Sequence, residues 1–587
     1  MRSARQVLAA ALLWACASAL AADPVATQRL HALFERYWEQ TARDHPEWAT
    51  WRGDHRFDDR LSDASPAGRA AADAREREWL AEARAFDPTM LDPTDRVSLG
   101  LFVHGRAEAV ALQPFEGWRS MSLGADSGFQ TELPELLQIM PMDSAAQVDK
   151  FLARLAAVPQ RVDEELHWLK RGIALGWVPP RAVLQRVLAH LDQQLQAPAE
   201  RQPWLDALQR MGPTIPPATQ AALRERATEA LRTQVLPALQ RLRDFVAGEY
   251  LAAASVDGAL SGYPDGPRVY ELVIAEHTTL PLTARQLHDT GLREVARLQR
   301  GIEAVWRESG HAGNLTQWLQ HLNSDPRYFH PSGEALLADY RDIAKRIDPE
   351  LPKLFAQLPR APYGIRAMPG YQDAGKAEYY EAPALDGSRA GWFNANARAY
   401  RQRPTWSLES LVAHETVPGH HLQLARAVEL TGLPAFRRDL EFTAYIEGWA
   451  LYAETLGSEL GLYRDAASRY GHLQMQIFRA ARLVVDTGLH AFGWSRERAI
   501  DYLAATSGLA REHCAAEVDR YTSWPGQALA YMTGQLKIVE LRERAQARLG
   551  ERFDLRRFHN AVLDQGALPL PVLDRVIDGW IAGEAAK

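Results

Sequence analysis

The chain has 587 residues, of which 47% are hydrophobic and 24% are charged, and its formal net charge is −7. This acidic balance argues against a dedicated nucleic-acid-binding protein, and the apolar content excludes wholesale disorder. Cys16 and Cys514 are the only two cysteines, which excludes a disulfide scaffold and a cysteine-rich zinc site, so any metal must be bound by histidines and carboxylates.

The N-terminal segment, residues 1–21, has the pattern of a signal peptide. Arg2 and Arg5 give it a positive start, the apolar run that follows is too short to span a bilayer, and an A-x-A cleavage site ends at Ala21. We therefore expect cleavage after Ala21 and export to the periplasm or beyond. The residues before Cys16 also loosely resemble a lipobox, and in that alternative a lipid on Cys16 anchors the protein to a membrane. No later segment reaches about 20 uninterrupted apolar residues, so no transmembrane helix is predicted.

The next part of the chain, residues 22–358, is dominated by patterns typical of α-helices. It is rich in Ala, Leu, Arg, Glu and Gln, and its apolar residues recur at steps of three and four, as in the run from Leu231 to Val246. Pro237 lies inside that run and predicts either a kinked helix or two shorter ones. Because alternating β-branched strands are scarce, we predict a mainly α fold whose first domain is an N-terminal helical lobe over 22–358.

The longest interruption of the helical pattern spans residues 359–406, which are full of Gly, Pro, Tyr and Asn. Long irregular stretches in a compact domain are usually functional, so we expect a few short strands or loops beside a site. The segment 391–396 is a candidate edge segment that would pair with the backbone of a substrate, with Asn396 as its candidate binding residue. A catalytic helical lobe is predicted over 359–587.

The motif that carries chemistry in this second lobe is HETVPGHH, which begins at His414. In metallohydrolases a helix commonly carries H-E-x-x-H, in which two histidines one turn apart bind a metal ion and the glutamate is the general base for a metal-bound water. Glu415 occupies the glutamate position here. The second histidine is displaced by two or three residues, to His420 or His421.

The displacement can be accommodated if the helix is interrupted. On an ideal helix His420 would lie about 120° around from His414. Pro418 and the glycine after it should make the helix bulge or reset, which would bring His420 back toward the metal. His421 would return to the same face, but about 10 Å further along the axis. We therefore expect His420 to be the second ligand and keep His421 as the alternative.

A third ligand is expected from the next helical segment, EFTAYIEGWALYAE. Glu447 and Glu454 lie seven residues apart in it and so share one helix face. A carboxylate from this segment fits a His2Glu zinc site, in which three protein ligands leave one coordination position open for chemistry. Gly448 would allow another helix to approach closely beside the metal.

The strings HETVPGHHLQ and AYIEGWALYAE together resemble the DUF885 family of bacterial secreted or lipoprotein-type proteins. The resemblance continues through residues 482–503 and 517–538, is strong over most of 360–545 and is looser in the N-terminal half. The family in turn resembles the helical zinc peptidases of the gluzincin type. This resemblance implies a mainly helical, two-lobed fold with a central cleft that admits short peptides.

The same resemblance implies roles for individual residues. The ligands of Zn²⁺ that it implies are His414, His420 and Glu447. Glu415 would be the general base, and the family motif H-E-x-x-P-G-H ends on His420, a spacing that departs from the gluzincin H-E-x-x-H. The segment PGQALAY resembles the turn that brings a tyrosine hydroxyl to the tetrahedral intermediate in helical oligopeptidases, so Tyr531 is the expected oxyanion donor.

Three further residues are candidates for catalysis or substrate binding. Tyr521 is the second choice among the tyrosines. An Arg, an Asp and a His at four-residue steps end at His490, an arrangement typical either of a surface ion-pair row or of a cleft in which Asp486 orients His490 toward substrate or a metal ligand. Arg520 would bind a substrate carboxylate through two hydrogen bonds or form a salt bridge with Glu517.

These residues predict an exported zinc metallopeptidase. It would cleave short peptides by attack of a metal-bound water, with Glu415 as the general base. Two alternatives stay open at this point. One is a zinc amidohydrolase or esterase that uses the same site on a non-peptide substrate, and the other is a non-catalytic helical binding protein with a degenerate site.

Overall fold

The computed structural model describes residues 22–124, 127–198, 201–255, 257–369 and 377–587. The predicted signal peptide, its cleavage site at Ala21 and the alternative lipid site at Cys16 lie outside these residues. The described part of the chain is mainly helical with one small sheet, which confirms the predicted fold class. None of its helices is both long and apolar enough to cross a membrane.

Fourteen α-helices precede the sheet in the described residues. They are α1 (Pro24–Asp44), α2 (Pro46–Trp51), α3 (Pro66–Arg84), α4 (Pro93–Leu112), α5 (Glu116–Arg119), α6 (Phe129–Ile139), α7 (Ala145–Leu175), α8 (Arg181–Gln196), α9 (Pro217–Ala230), α10 (Leu236–Phe245), α11 (Gly266–Thr278), α12 (Ala284–Glu308), α13 (Leu315–Ser324) and α14 (Gly333–Ile347). Short 3-10 turns lie between several of them.

The sheet and ten further helices complete the described chain. The strands are β1 (Tyr363–Ala367), β2 (Tyr379–Glu381) and β3 (Gly391–Ala395). The helices are α15 (Thr405–Glu415), α16 (His420–Glu429), α17 (Ala435–Arg438), α18 (Thr443–Thr455), α19 (Ala466–Phe492), α20 (Arg496–Ser507), α21 (Arg511–Ser523), α22 (Ala530–Leu549), α23 (Leu555–Leu563) and α24 (Leu570–Ala585).

The run that contains Pro237 stays helical throughout. A π turn, Leu231–Val235, joins α9 to α10, and a second one, Val246–Tyr250, follows α10. Proline cannot donate a backbone hydrogen bond, and the wider π turn directly before it accommodates that loss. The chain therefore continues through the π turn from α9 into α10 without a non-helical break.

Helix α19 is the long central helix behind the candidate site. Its first turn is capped by Asp465, whose carboxylate accepts the Ser468 N–H at 2.7 Å, and it ends at Gly493, which has a φ of 65°. Helix α12 packs along it so closely that a Cβ on Gly291 would lie 2.8 Å from the Leu483 Cβ. Glycine at this point lets the two helices meet and buries the second half of α19.

The sheet corrects one prediction. Its strand order is β1-β3-β2, with β3 parallel to β1 and antiparallel to β2. Phe393 of β3 is registered with Ile365 on one side and Tyr380 on the other. The segment 391–396 was expected to be an edge that binds substrate backbone, but β3 is the central strand and both of its edges are already paired.

The hydrophobic cores combine residues from both predicted lobes. One core contains Tyr340 of α14, which packs on Phe393 of β3, together with Trp449 of α18. In another, Val295 of α12 packs with Val484 of α19. Packing therefore continues across the predicted boundary between residues 358 and 359, and the first lobe supplies part of the support for the second.

Candidate metal centre

The helix that carries His414 ends one residue after it. Helix α15 stops at Glu415, and α16 starts at His420 after a non-helical turn in which Thr416 has φ −112° and ψ −114°. The His421 N–H donates to the Thr416 carbonyl at 3.0 Å and closes this turn. The interruption expected at Pro418 is thus a complete break between two helices.

Two contacts hold the turn in place. A Cβ on Gly419 would lie 2.0 Å from the His414 carbonyl oxygen, so only glycine fits where the chain folds back. The indole N–H of Trp449 donates to the Pro418 carbonyl at 2.9 Å. Because Trp449 lies on α18, this hydrogen bond fixes the histidine motif against the helix that carries the candidate third ligand.

The break brings His414, His420 and Glu447 together. One ligand atom from each lies within 4.8 Å of the others. Glu447 Oε2 is 3.5 Å from His414 Nε2 and 3.5 Å from His420 Nε2, and the two imidazole planes are nearly perpendicular. Glu447 Oε2 is buried and has no hydrogen-bond partner among the described residues, and the same holds for His420 Nδ1.

The orientation of His414 is set from behind by Glu454. His414 Nδ1 donates to Glu454 Oε1 at 2.9 Å, and the carboxylate is completely buried. Its second oxygen accepts from Ser410 Oγ at 2.7 Å and from Gln476 Nε2 at 3.4 Å. This arrangement protonates Nδ1 and leaves Nε2 free to face the centre, as in the carboxylate–histidine pairs that support metal ligands.

The three glutamates at the centre differ in the direction in which their pKa values are shifted. Burial opposes ionisation of Glu447 and of Glu454, but contacts with His420 and His414 hold the pKa of Glu447 well below its usual value, and the hydrogen bond from His414 lowers that of Glu454. Glu415 has no such partner, and burial raises its pKa to about 8. Two of the carboxylates are therefore anions at neutral pH, while Glu415 can carry a proton.

The alternative ligand His421 points elsewhere. Its Nδ1 lies 2.7 Å from the hydroxyl of Tyr380 on β2, and its ring packs on Tyr363 of β1. Burial lowers the pKa of His421 to about 4. The structure thus places His421 against the sheet and His420 at the cluster.

The expectation that Gly448 allows a close helix approach is confirmed. A Cβ on Gly448 would lie 2.5 Å from the backbone of Gly534, and one on Gly534 would lie 1.8 Å from the Ala444 carbonyl oxygen. Helices α18 and α22 therefore meet through facing glycines. This contact brings the start of α22, with Tyr531, beside the metal-ligand candidates.

Tyr531 lies at the cluster. Its ring is nearly parallel to the imidazole of His414, with 6.4 Å between centroids, and its hydroxyl accepts a long 3.3 Å hydrogen bond from Gln527. The Arg482 guanidinium lies over the ring of Tyr531, 4.5 Å from its centroid. Burial, followed by the charge of Glu447, raises the pKa of Tyr531, so its hydroxyl stays protonated as a donor.

His490 is not brought to the cluster. Its Nδ1 accepts the Leu260 N–H at 3.1 Å, and its Nε2 donates to the Tyr521 carbonyl at 3.1 Å. Asp486, which was expected to orient it, instead accepts from the Tyr270 hydroxyl at 2.6 Å and from a backbone N–H. The structure therefore does not place His490 where its predicted catalytic role requires it, because both ring nitrogens are used to join buried backbone segments.

The predicted substrate-binding residues are also engaged in internal contacts. Arg520 pairs with Glu517 at 3.1 Å, and the Tyr521 hydroxyl donates to the same carboxylate at 2.8 Å. Asn396 is fully buried, and its Oδ1 accepts the Ala399 N–H at 3.2 Å, which caps a short 3-10 turn. For Arg520 the structure shows the alternative, a salt bridge with Glu517, and the contacts of Tyr521 and Asn396 are with the protein rather than with an open cleft.

The sequence did not reveal the roles of two residues near the cluster. Glu454 was considered as a ligand, but it accepts a hydrogen bond from His414 instead. The seven-residue spacing places it on the same helix face as Glu447, two turns further along α18. Gln476 of α19, which donates to Glu454, carries no signal in the sequence. A glutamine on a helix becomes informative only once its neighbours are known.

Comparisons with known proteins agree with the fold. A family model described as "Bacterial protein of unknown function (DUF885)" matches residues 46–577. The crystal structure of "the putative lipoprotein from Colwellia psychrerythraea" has a TM-score of 0.89 and 28% identity, covering 95% of this chain and 99% of that one. "A putative lipoprotein of unknown function from Shewanella oneidensis" has a TM-score of 0.70 and 18% identity, covering 93% and 99%, and shares the fold. No curated protein is significantly similar in sequence.

Proposed function

The chain belongs to the DUF885 family of bacterial proteins, and we propose that it is a zinc-dependent hydrolase of short peptides. The observation that carries this proposal is the convergence of His414, His420 and Glu447 around an unpartnered, buried carboxylate oxygen. Such an oxygen is costly to bury unless a cation or a donor faces it. A divalent cation between the three side chains would satisfy it.

The donor set fits zinc. Two imidazoles and one carboxylate form a set that binds Zn²⁺ tetrahedrally and leaves its fourth position open. Glu454 behind His414 supplies the supporting carboxylate that such ligands usually have. A zinc ion held there would supply Lewis acidity, which polarises a substrate carbonyl and makes water more acidic.

The chain's own groups supply the proton transfers. Glu415 follows the first ligand directly. A dication bound beside it would lower its pKa, and as a carboxylate it takes a proton from the attacking water and passes it to the leaving amine. The Tyr531 hydroxyl, beside His414 and only weakly engaged by Gln527, donates to the oxygen that becomes negative in the transition state. This division of roles is the one found in gluzincin-type peptidases, which the motif resembles, and it favours a peptide substrate.

Metal analysis and peptide hydrolysis test the proposal together. The purified protein should bind about one zinc per chain, and it should cleave members of a pentapeptide pool, as followed by mass spectrometry. A chelator should abolish cleavage, and zinc should restore it. Glu415→Gln should keep zinc and lower the rate at least ~100-fold, whereas Glu441→Gln, an exposed control just before α18, should behave as wild type.

Three results would count against this proposal. Absence of bound zinc, or hydrolysis that persists in chelator, would contradict a metal-dependent enzyme. An unchanged rate for Glu415→Gln would remove its role as the base. Cleavage of esters or non-peptide amides alone would replace the peptidase by an amidohydrolase or esterase that uses the same residues.

We also propose that the chain is exported and acylated at Cys16. Both structural neighbours are described as "putative lipoprotein", and this favours the lipobox alternative over cleavage after Ala21. Expressed in a bacterium that processes lipoproteins, the protein should partition with membranes, and Cys16→Ser should release it from them. A mature chain that starts at Ala22, free of lipid, would support the simple signal peptide instead.

A further inference from the structure

Arg479 is a buried cation without a counter-ion. It lies on α19, and only 5% of its surface is exposed. Its guanidinium donates only to the Met475 carbonyl at 3.4 Å and to the Met475 sulfur at 3.2 Å, and its Nε has no partner among the described residues. No carboxylate of the described chain forms an ion pair with it.

Burying a guanidinium without an ion-pair partner is unfavourable. A buried charge is normally paired, because removing it from water costs several kcal/mol that only a counter-ion and hydrogen bonds offset. The neighbouring Arg482 and Arg520 follow this rule, since both bind Glu517, at 2.9 and 3.1 Å. Arg479 forms no such ion pair within the described residues, so its positive charge has no carboxylate in direct contact.

The position of that charge is defined by its neighbours on α19. Gln476, three residues before Arg479, donates to Glu454, the carboxylate behind His414. Arg482, three residues after it, lies over the ring of Tyr531. Residues three apart share a helix face, so Arg479 lies between the support of the first ligand and the candidate oxyanion donor.

The electrostatics agree with this placement. The positive charge of Arg479 opposes the rise in the pKa of His414 and Glu415 and adds to the lowering of the pKa of Glu454. It therefore acts on both sides of the candidate centre. An anion that enters beside the three ligand candidates would meet in Arg479 a buried guanidinium that forms no ion pair within the described residues.

We propose that Arg479 binds a carboxylate of the substrate and so selects peptides that carry a negative charge close to the bond to be cleaved. The inference rests on the proposed peptidase function and deepens it. A planar guanidinium with free N–H donors suits a carboxylate better than any other group that a peptide offers. That carboxylate comes either from the peptide C terminus or from an acidic side chain.

Matched peptides test this proposal and separate the two sources. Each peptide of a pentapeptide pool is made with a free C-terminal carboxylate and as the C-terminal amide, and with Glu or Gln at the internal positions. The charged form should be cleaved with a kcat/KM about 10- to 100-fold higher. If the preference follows the terminus, the enzyme recognises the C-terminal carboxylate; if it follows the Glu, it recognises a side chain.

Variants assign the preference to Arg479. Arg479→Gln should cleave charged and neutral peptides at equal rates, and Arg479→Lys should recover part of the difference. Arg469→Gln, the same change on the same helix at an arginine paired with Glu308, should keep the full preference. Since no carboxylate loses a partner in Arg479→Gln, its thermal unfolding should resemble that of wild type.

The outcomes distinguish this inference from the function on which it rests. Equal cleavage of charged and neutral peptides by wild type, or an unchanged preference in Arg479→Gln, would overturn it while the peptidase stands. If wild type cleaves no peptide, the proposed function fails, and calorimetry with N-acetyl-trialanine and its amide then decides. Binding of the acid alone, lost in Arg479→Gln, would support the carboxylate site; equal binding of both would overturn it.

Discussion

Replacing Glu454 by glutamine should weaken zinc binding without removing a ligand. Glu454 is fully buried and accepts the His414 Nδ1–H at 2.9 Å and the Ser410 hydroxyl at 2.7 Å. Glutamine has the same size, and its oxygen can still accept from His414, but its NH2 replaces the oxygen that accepts from Ser410 and Gln476. The variant therefore removes the negative charge and one acceptor while keeping the hydrogen bond to His414.

The size of the effect follows from the hydrogen bond. A hydrogen bond to a charged group contributes about 1 to 1.5 kcal/mol more than a neutral one, and 1.4 kcal/mol is about tenfold in affinity. We expect zinc affinity to fall about tenfold, at the low end of the ~10- to 100-fold range for groups that support metal ligands. A competitive titration against a fluorescent chelator at pH 7 measures it.

This prediction can be checked with a matched control variant, and one outcome would refute it. Glu459→Gln changes a partly exposed glutamate a few residues further on, paired with Arg542 at 3.3 Å, and it should bind zinc as wild type does. If Glu454→Gln also bound zinc with unchanged affinity, the carboxylate would not polarise His414. The reasoning that makes His414 a supported ligand would then be refuted.

Three other predictions concern the ligand choice, the helix contact and pH. His420→Ala should lose stoichiometric zinc and His421→Ala should retain it; the reverse would reinstate His421. Gly448→Ala places a Cβ 2.5 Å from the facing backbone and should lower the free energy of unfolding by about 2 to 3 kcal/mol in urea titrations, whereas Gly579→Ala, which meets open space, should not destabilise. Burial raises the pKa of Asp486 to about 7, so the folded protein keeps a proton that the unfolded chain releases near pH 4. The contribution of Asp486 to stability should therefore fall as pH rises from about 4 to 7, by up to ~4 kcal/mol, and the pH dependence of unfolding in Asp486→Asn should differ from that of wild type by this contribution; identical pH profiles would contradict the assignment.

The features that could be predicted from the sequence depend on local spacing. The mainly helical fold follows from apolar periodicity along each segment. The approach of His420 to His414 follows from a proline–glycine break of known effect, because the two residues are close in the chain. The choice of Glu447 over Glu454 rests on the family resemblance, since helix geometry places both on one face.

The features that could not be predicted depend on partners far away in the chain. His490 looked free beside Asp486, but its ring nitrogens meet Leu260 and Tyr521. Segment 391–396 could not be assigned to the sheet centre, because strand order is set by pairings that local pattern does not encode. Arg479 is one arginine among many on amphipathic helices, and its lack of a counter-ion emerges only when all its neighbours are in place.

The location of a bound metal tests the central claim most directly. Crystals of the protein grown with zinc, with diffraction recorded on both sides of the zinc absorption edge, would reveal the ion and its ligands. We predict one anomalous peak about 2.0 to 2.2 Å from His414 Nε2, His420 Nε2 and a Glu447 carboxylate oxygen. A peak elsewhere, or a fully formed cluster that stays free of metal at saturating zinc, would contradict the account.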